Sequence, residues 1–299
     1  MGHQVEVVAV DETADRFDHQ FAAKADVLIA LHACRSAAVV RGWADRWPAR
    51  PLVVALTGTD LYVDLPESAT ALGSIERADR LIVLQAAAVD RLRSIGDHLA
   101  AKARVVRQSL DVDERPPPAP EPDEFRVVVL AHLRDVKDPL LAARAAAGLG
   151  PDSRVRVHHA GRALDAEWER RVRAEVARNP RYRWHGELER SAALALLGTG
   201  HVLACTSVHE GGANVVTEAI AMGVPVVGTR MDGNTGLLGD EHPGLFPVGD
   251  DKALTELLHR LESDPTVLAD LQARSHALAP TVSPAAERDA LAAVLAELS

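Results

Sequence analysis

The chain has 299 residues, 47% hydrophobic and 25% charged, a composition that excludes disorder, collagen-like repetition and a minimal disulfide scaffold. A length of this order predicts two domains. Thirty-three basic against forty-three acidic side chains leave a net charge of −10, which opposes general binding to nucleic acid or to an anionic membrane.

Only four of the cations are lysines, namely Lys24, Lys102, Lys137 and Lys252, so a lysine in a polar loop carries more information than an arginine does. Cys34 and Cys205 are far apart and belong to no paired spacing, which predicts two reduced thiols and no zinc site. The first ten residues lack a basic region followed by an apolar core, and no apolar run approaches the length of a bilayer span. Both features predict a soluble, cytoplasmic protein.

In chain order, runs rich in Val, Leu and Ile occur at residues 5–10, 25–31, 52–56, 80–84 and 103–107, separated by amphipathic alanine-rich stretches. The alternation predicts parallel strands with helical crossovers covering both sheet faces. Residues 114–124, ERPPPAPEPDE, contain five prolines and read as a linker. The alternation resumes at 125–133, 154–160, 181–185, 201–206 and 225–229. The expected class is α/β with two Rossmann-like doubly wound domains. They are residues 1–113 and 125–283, joined by the linker 114–124, and a closing helix at 284–299 presents Leu291, Val294, Leu295 and Leu298 as one stripe.

In open parallel sheets ligands collect beyond the carboxyl ends of the strands. Residues 201–206 read as a strand, 207–212 as a turn and 213–222 as a helix stopped by Gly223. Gly211 and Gly212 let the backbone approach a ligand, and the free amides of the helix start attract an anion. Glu210 and Glu218 stand seven residues apart, and Asn214 shares a helix face with Glu218. Phosphate at the amides and hydroxyls at the carboxylates would suit a sugar or ribose attached to a diphosphate. The bland alternative makes Glu210 a solvated loop residue and Glu218 a surface helix residue; the Gly-Gly turn at a strand-to-helix junction favours function.

A second constellation, Arg134-Asp135-Val136-Lys137-Asp138-Pro139, follows the strand 125–133. Asp138 reads as an N-cap with proline at the first helical position. Arg134 and Lys137 would neutralise a leaving diphosphate, arginine as a planar fork and lysine as a point charge.

With its Glu-seven-residues-Glu pattern the chain resembles the two-domain glycosyltransferases of GT-B architecture. The strings LHACRSA (31–37), LTGTDLYVDL (56–65), AHLRDVKDP (131–139), NPRYRWHGEL (179–188), EGGANVVTEAIAMGVPVV (210–227) and GNTGLLGDEHPGLFPVGD (233–250) are similar to the selenosugar synthases of selenoneine biosynthesis. That resemblance implies transfer of a hexose, N-acetylglucosamine, from its UDP form onto the selenium of selenophosphate, with a UDP-sugar as co-substrate and no essential metal. It implies that Glu218 holds the ribose hydroxyls and Glu210 touches the hexose. By the same resemblance Arg134 and Lys137 would take the diphosphate, and Gly211, Gly212, Ala213 and Asn214 would supply main-chain contacts. His185 and Gly186 would belong to a uracil wall, with Tyr182 and Trp184 either in that wall or in the core. Gly233 and Asn234 would lie near the donor hexose or form an ordinary turn.

The acceptor is expected from the first domain across the cleft, through His32 and Arg35 after one strand and Thr57, Gly58 and Thr59 after the next. Together they offer hydroxyl, amide and cationic donors to a small trianion. Asp60, in the same loop, carries a charge that would repel such an acceptor and reads also as orienting Arg35 or His32, or as a helix cap. Selenophosphate is already anionic near neutral pH, so its attack needs positioning more than a strong base. The chain departs from the family pattern in lacking a first strand, glycine loop and helix before Gly2 and His3. That implies either a truncated or mis-assigned start or a partly lost acceptor pocket. Two other functions remain open, a GT-B glycosyltransferase with an ordinary oxygen or sulfur acceptor and a non-catalytic nucleotide-sugar-binding protein.

Overall fold

A computed structural model of the chain describes residues 4–8, 23–111 and 123–298. The chain divides into two compact units, one of Met1–Val106 with Ala292–Ser299 and one of Arg107–Leu291.

Among the described residues the first unit carries a parallel sheet of four strands, β1 (Leu28–Leu31), β2 (Leu52–Ala55), β3 (Arg80–Val83) and β4 (Ala103–Val105), adjacent in chain order. The crossovers are helical: α1 (Ala37–Arg46), α2 (Ala69–Arg77), then α3 (Ala87–Ile95) and α4 (Asp97–Lys102). Leu52, Val53 and Val54 are all buried, as expected of a central strand covered on both faces. Trp43, Leu81 and Leu92 close the core around them. Ser68 caps α2 by accepting the Ala71 amide at 3.2 Å.

Among the described residues the second unit holds a parallel sheet of six strands: β5 (Phe125–Leu130), β6 (Val155–Ala160), β7 (Tyr182–Trp184), β8 (Val202–Cys205), β9 (Val226–Thr229) and β10 (Leu245–Phe246). Its spatial order is β10-β9-β8-β5-β6-β7. The chain winds outward from β5 to β7, returns to β8 on the other side of β5, and winds outward again. That reversal creates a topological switch point between β5 and β8, where the two carboxyl ends diverge and leave a crevice. The helices are α5 (Leu141–Ala147), α6 (Ala166–Arg178), α7 (Arg190–Gly198), α8 (Asn214–Ala221), α9 (Asp232–Leu238), α10 (Asp251–Ser263), α11 (Pro265–Leu278) and α12 (Pro284–Ala296). Gly223 ends α8 with φ 68°, and the Val224 amide reaches back to the Ala219 carbonyl at 2.8 Å, a left-handed stop that glycine adopts without strain.

Several expectations change. Residues 4–8 take no regular structure, so the strand expected at 5–10 is not formed where it can be described, and residues 9 and 10 lie outside the described residues. Most of the proline-rich linker also lies outside them. Asp138 is not an N-cap: its backbone is left-handed at φ 35°, it closes a 3-10 turn over Asp135–Lys137, and α5 begins three residues later. An N-cap needs an extended backbone, and Asp138 instead directs its carboxylate to Arg144 at 3.1 Å. In α12, Val294 is fully buried while Leu291 and Leu295 are half-buried. Both cysteines are free thiols, and among the described residues no helix is long and apolar enough to cross a membrane.

Candidate active site

The crevice at the switch point holds a cavity of about 230 Å³. Its walls are the end of β5 with Arg134 and Lys137, and the end of β8 with Thr206, Ser207, Glu210, Gly212, Ala213 and Asn214. Two loops distant in sequence are therefore laced together. The Val208 amide donates to the Val136 carbonyl at 2.8 Å, and the Thr206 hydroxyl donates to the Lys137 and Asp138 carbonyls at 2.9 and 3.1 Å. This lacing places Lys137 against Glu210, where the ammonium donates to Oε1 in a largely buried ion pair. The Ser207 hydroxyl donates to the same oxygen at 2.8 Å.

The cavity favours anions. Arg134 is exposed at its rim and forms no ion pair among the described residues. Ala213, at the N-cap of α8, has no side-chain oxygen; its carbonyl accepts the Val216 amide at 2.8 Å, and the Asn214 and Val215 amides are left for a ligand. Cys205 lies on the floor; burial, with the Glu210 charge adding, pushes its thiol up, so it stays protonated and inert. Among the described residues no cluster of three or more His, Cys, Asp or Glu side chains is arranged to hold a metal ion.

Glu218 is buried on α8, and its Oε1 lies 2.9 Å from an Arg190 guanidinium nitrogen at the start of α7. Burial raises its pKa and the Arg190 cation opposes the rise. Asn214 is exposed one turn earlier, so the expected shared face carries one wet and one buried group. Gly211 is buried behind the wall formed by Gly212.

Gly233 and Asn234, expected in a strand-end turn, lie in the first turn of α9, which supports this wall from behind. A β-carbon on Gly233 would stand 2.6 Å from the Glu210 carbonyl oxygen, so a hydrogen is what allows the contact. Asn234 is fully buried and donates to the Thr229 carbonyl at 2.8 Å, and the Thr229 hydroxyl donates to the Ser207 carbonyl at 2.5 Å. Asn234 thus acts on the loop through Thr229 and does not border the cavity.

His185 and Gly186 follow β7. His185 is exposed with Nε2 3.1 Å from Nδ1 of His158, and Gly186 is left-handed at φ 70° with its carbonyl accepting the Gly161 amide at 2.7 Å. Tyr182 is a core residue: its hydroxyl pairs with Nδ1 of His159 at 2.7 Å, and Nε2 of His159 donates to the Ala131 carbonyl at 2.8 Å. Trp184 is half-buried against that core and donates from Nε1 to the Gly161 carbonyl. Sequence alone left these two open because an aromatic in a strand is equally suited to a core or a wall.

In the first unit His32, Arg35, Thr57, Gly58, Thr59 and Asp60 gather beyond the carboxyl ends of β1 and β2. Asp60 is fully buried, and its carboxylate accepts the amides of Ala33 (2.8 Å), Thr57 (2.7 Å) and Leu61 (3.1 Å) and the Thr57 hydroxyl (2.9 Å). It ties the two loops together, the geometry of a positioning residue. Sequence reading missed Ser207, Thr206, Thr229 and Arg190. The first two adjoin the glycine turn and were within reach of a strand-end argument; Arg190 meets Glu218 only through packing of α7 beside α8.

A doubly wound unit with a cavity at its switch point defines a two-unit α/β protein with parallel sheets. The sequence profile described as glycosyl transferases group 1 matches residues 112–277, and the chain belongs to that family. Its fold matches the Anabaena Alr3699/HepE crystal structure in complex with UDP at a TM-score of 0.78, with 19% identity over 93% of this chain and 80% of that one. Sucrose-phosphate synthase from Thermosynechococcus elongatus matches at 0.75, with 17% identity over 93% and 75% of the two chains. The lipopolysaccharide outer core galactosyltransferase WaaB in its apo form matches at 0.71, with 15% identity over 93% and 78%. The fold is thus that of the GT-B glycosyltransferases.

Proposed function

We propose that the protein transfers a hexose, N-acetylglucosamine, from its UDP conjugate to selenophosphate, forming a carbon-selenium bond. The observation that carries the donor half of this reading is the convergence of Arg134, Lys137 and the uncapped start of α8 on one cavity. Those groups would hold the diphosphate and stabilise its charge as it leaves, while Glu218 accepts the ribose hydroxyls and Glu210 the hexose. UDP in the Alr3699/HepE structure supports the choice of nucleotide. The acceptor half rests on the resemblance of six strings to selenosugar synthases, two of which form the loops after β1 and β2.

In the proposed step selenium attacks the anomeric carbon, and the bond from that carbon to the diphosphate oxygen breaks. UDP departs with the electron pair. Water then cleaves the phosphorus-selenium bond and releases phosphate and the seleno-sugar. Calorimetry with UDP tests the donor site, and heat is expected; none would end the reading. Supplying UDP-N-acetylglucosamine with selenophosphate, thiophosphate or simple alcohols, and following UDP release, tests the acceptor. Release with alcohols alone would replace it by an ordinary oxygen acceptor, and UDP binding without any release would favour a nucleotide-sugar-binding protein.

A further inference from the structure

His32 follows β1 with a left-handed backbone at φ 72°, a conformation that costs a residue with a side chain and is retained where surroundings impose it. Its amide is held by the Ala55 carbonyl at 2.9 Å. Its ring Nδ1 accepts the main-chain amides of Cys34 at 3.2 Å and Arg35 at 3.4 Å. A main-chain N–H can only donate, so Nδ1 presents its lone pair and the ring proton of the neutral imidazole sits on Nε2. Asp60 Oδ2 lies 3.8 Å from Nδ1 but is engaged by the Ala33 amide, so it does not draw the proton to that side.

Nε2 is buried and has no hydrogen-bond partner among the described residues, in a side chain more than nine-tenths buried. A buried N–H without an acceptor is costly and rare, and one held there by two amides on the opposite ring nitrogen is a donor waiting for an acceptor atom. The Asp60 carboxylate already accepts four donors, three on Oδ1 and the Ala33 amide on Oδ2, and the Thr57 hydroxyl is one of them.

We infer that His32 is a tautomer-locked hydrogen-bond donor to an oxyanion bound at the β1 and β2 loops, and that the nucleophile delivered there arrives already ionised. The ligand class is a phosphate-like anion. An alcohol would need a base to take its proton, and in these loops Nε2 of His32 carries a proton while buried Asp60 holds four donors. The inference deepens the proposed acceptor and rests on that reading for the word nucleophile, while the anion site stands on the first unit alone.

The direct test is the imidazole nitrogen NMR spectrum of the uniformly labelled protein, with His32 assigned by its disappearance in His32→Gln. The neutral ring is expected as its Nε2-protonated tautomer, with a saturable shift of the Nε2 signal on adding sodium thiophosphate. An Nδ1-protonated ring, or a signal indifferent to thiophosphate, overturns the inference. With UDP-N-acetylglucosamine as donor and thiophosphate as acceptor, His32→Leu should raise the acceptor KM at least tenfold and leave the donor KM alone. His32→Gln, which restores an N–H near Nε2 but cannot serve as a base, should recover most of that loss. Equal loss in both folded variants, with kcat falling, would make His32 the base and sink the idea. If UDP binds and the NMR test fails, the donor reading survives; if UDP does not bind, the NMR result still decides the anion site.

Discussion

Glu210 and Gly233 touch through the backbone: the Glu210 carbonyl oxygen lies 2.6 Å from where a β-carbon on Gly233 would stand, and Cβ of Glu210 lies 2.8 Å from it. The first turn of α9 therefore sets the height of the loop after β8. Gly233→Ala should push Glu210 off Lys137 and weaken UDP binding by about tenfold, about 1.4 kcal/mol. Calorimetry beside a urea melt checks this, and unchanged affinity in a folded variant would show that the contact does not position the site.

Arg134 and Lys137 differ in their surroundings, and their replacements should differ too. Lys137→Ala strands Glu210 beside Ser207 in a largely buried place, so it should lower both stability and UDP affinity. Arg134→Ala removes an exposed cation and should lower UDP affinity and turnover tenfold or more with little change in melting. If each variant kept turnover within a few-fold of the parent, the phosphate clamp would be wrong.

On the proposed reading of Glu218 as the ribose-binding carboxylate, its pairing with Arg190 gives nucleotide binding an acid limb. Glu218 must be ionised to accept two ribose hydroxyls, burial raises its pKa, and Arg190 restrains the rise. UDP affinity is thus expected to fall as pH drops through the Glu218 pKa. Arg190→Ala should shift that limb to higher pH. Dissociation constants measured from pH 5 to 8 check it; superimposable limbs in both proteins would exclude the role.

His159 makes the second unit sensitive to mild acid. Burial holds its pKa down to about 4 against an ordinary 6.5 while the Ala131 carbonyl opposes the fall, and the contacts with Tyr182 and that carbonyl set the tautomer of the neutral ring. The unfolded chain takes up the proton first, so this contribution is whole above pH 6.5 and is lost as pH falls toward 4. Urea midpoints should decline between pH 6.5 and 5, before most carboxylates titrate. His159→Leu should flatten part of that decline while costing about 1–3 kcal/mol at pH 7.5, because it strands the Tyr182 hydroxyl and the Ala131 carbonyl. An unaltered slope in the variant would assign the effect elsewhere, His158 and His242 being held down by burial in the same direction.

Nine of the strands were legible as apolar runs because a strand buried on both faces has no polar alternation to blur it. Residues 5–10 read equally well and form no strand over 4–8, since a run says what could pair and not whether a partner edge is there. β10 is two residues long and leaves no run to see. Asp138-Pro139 has the letters of a helix start, yet a left-handed backbone set by lacing to Thr206 puts it in a turn.

The glycine turn between Glu210 and Glu218, the cations at 134 and 137, and the alternation that makes a doubly wound sheet are local patterns, and the amino-acid order alone determined them. What only the tertiary structure decided is which distant groups meet: Lys137 with Glu210, Arg190 with Glu218, Asn234 behind Thr229, and Asp60 holding the loop of His32. The reason is range. Periodicity and capping act within a few residues, whereas the partner of a buried charge and the proton position on an imidazole follow from packing between segments that sequence spacing does not relate.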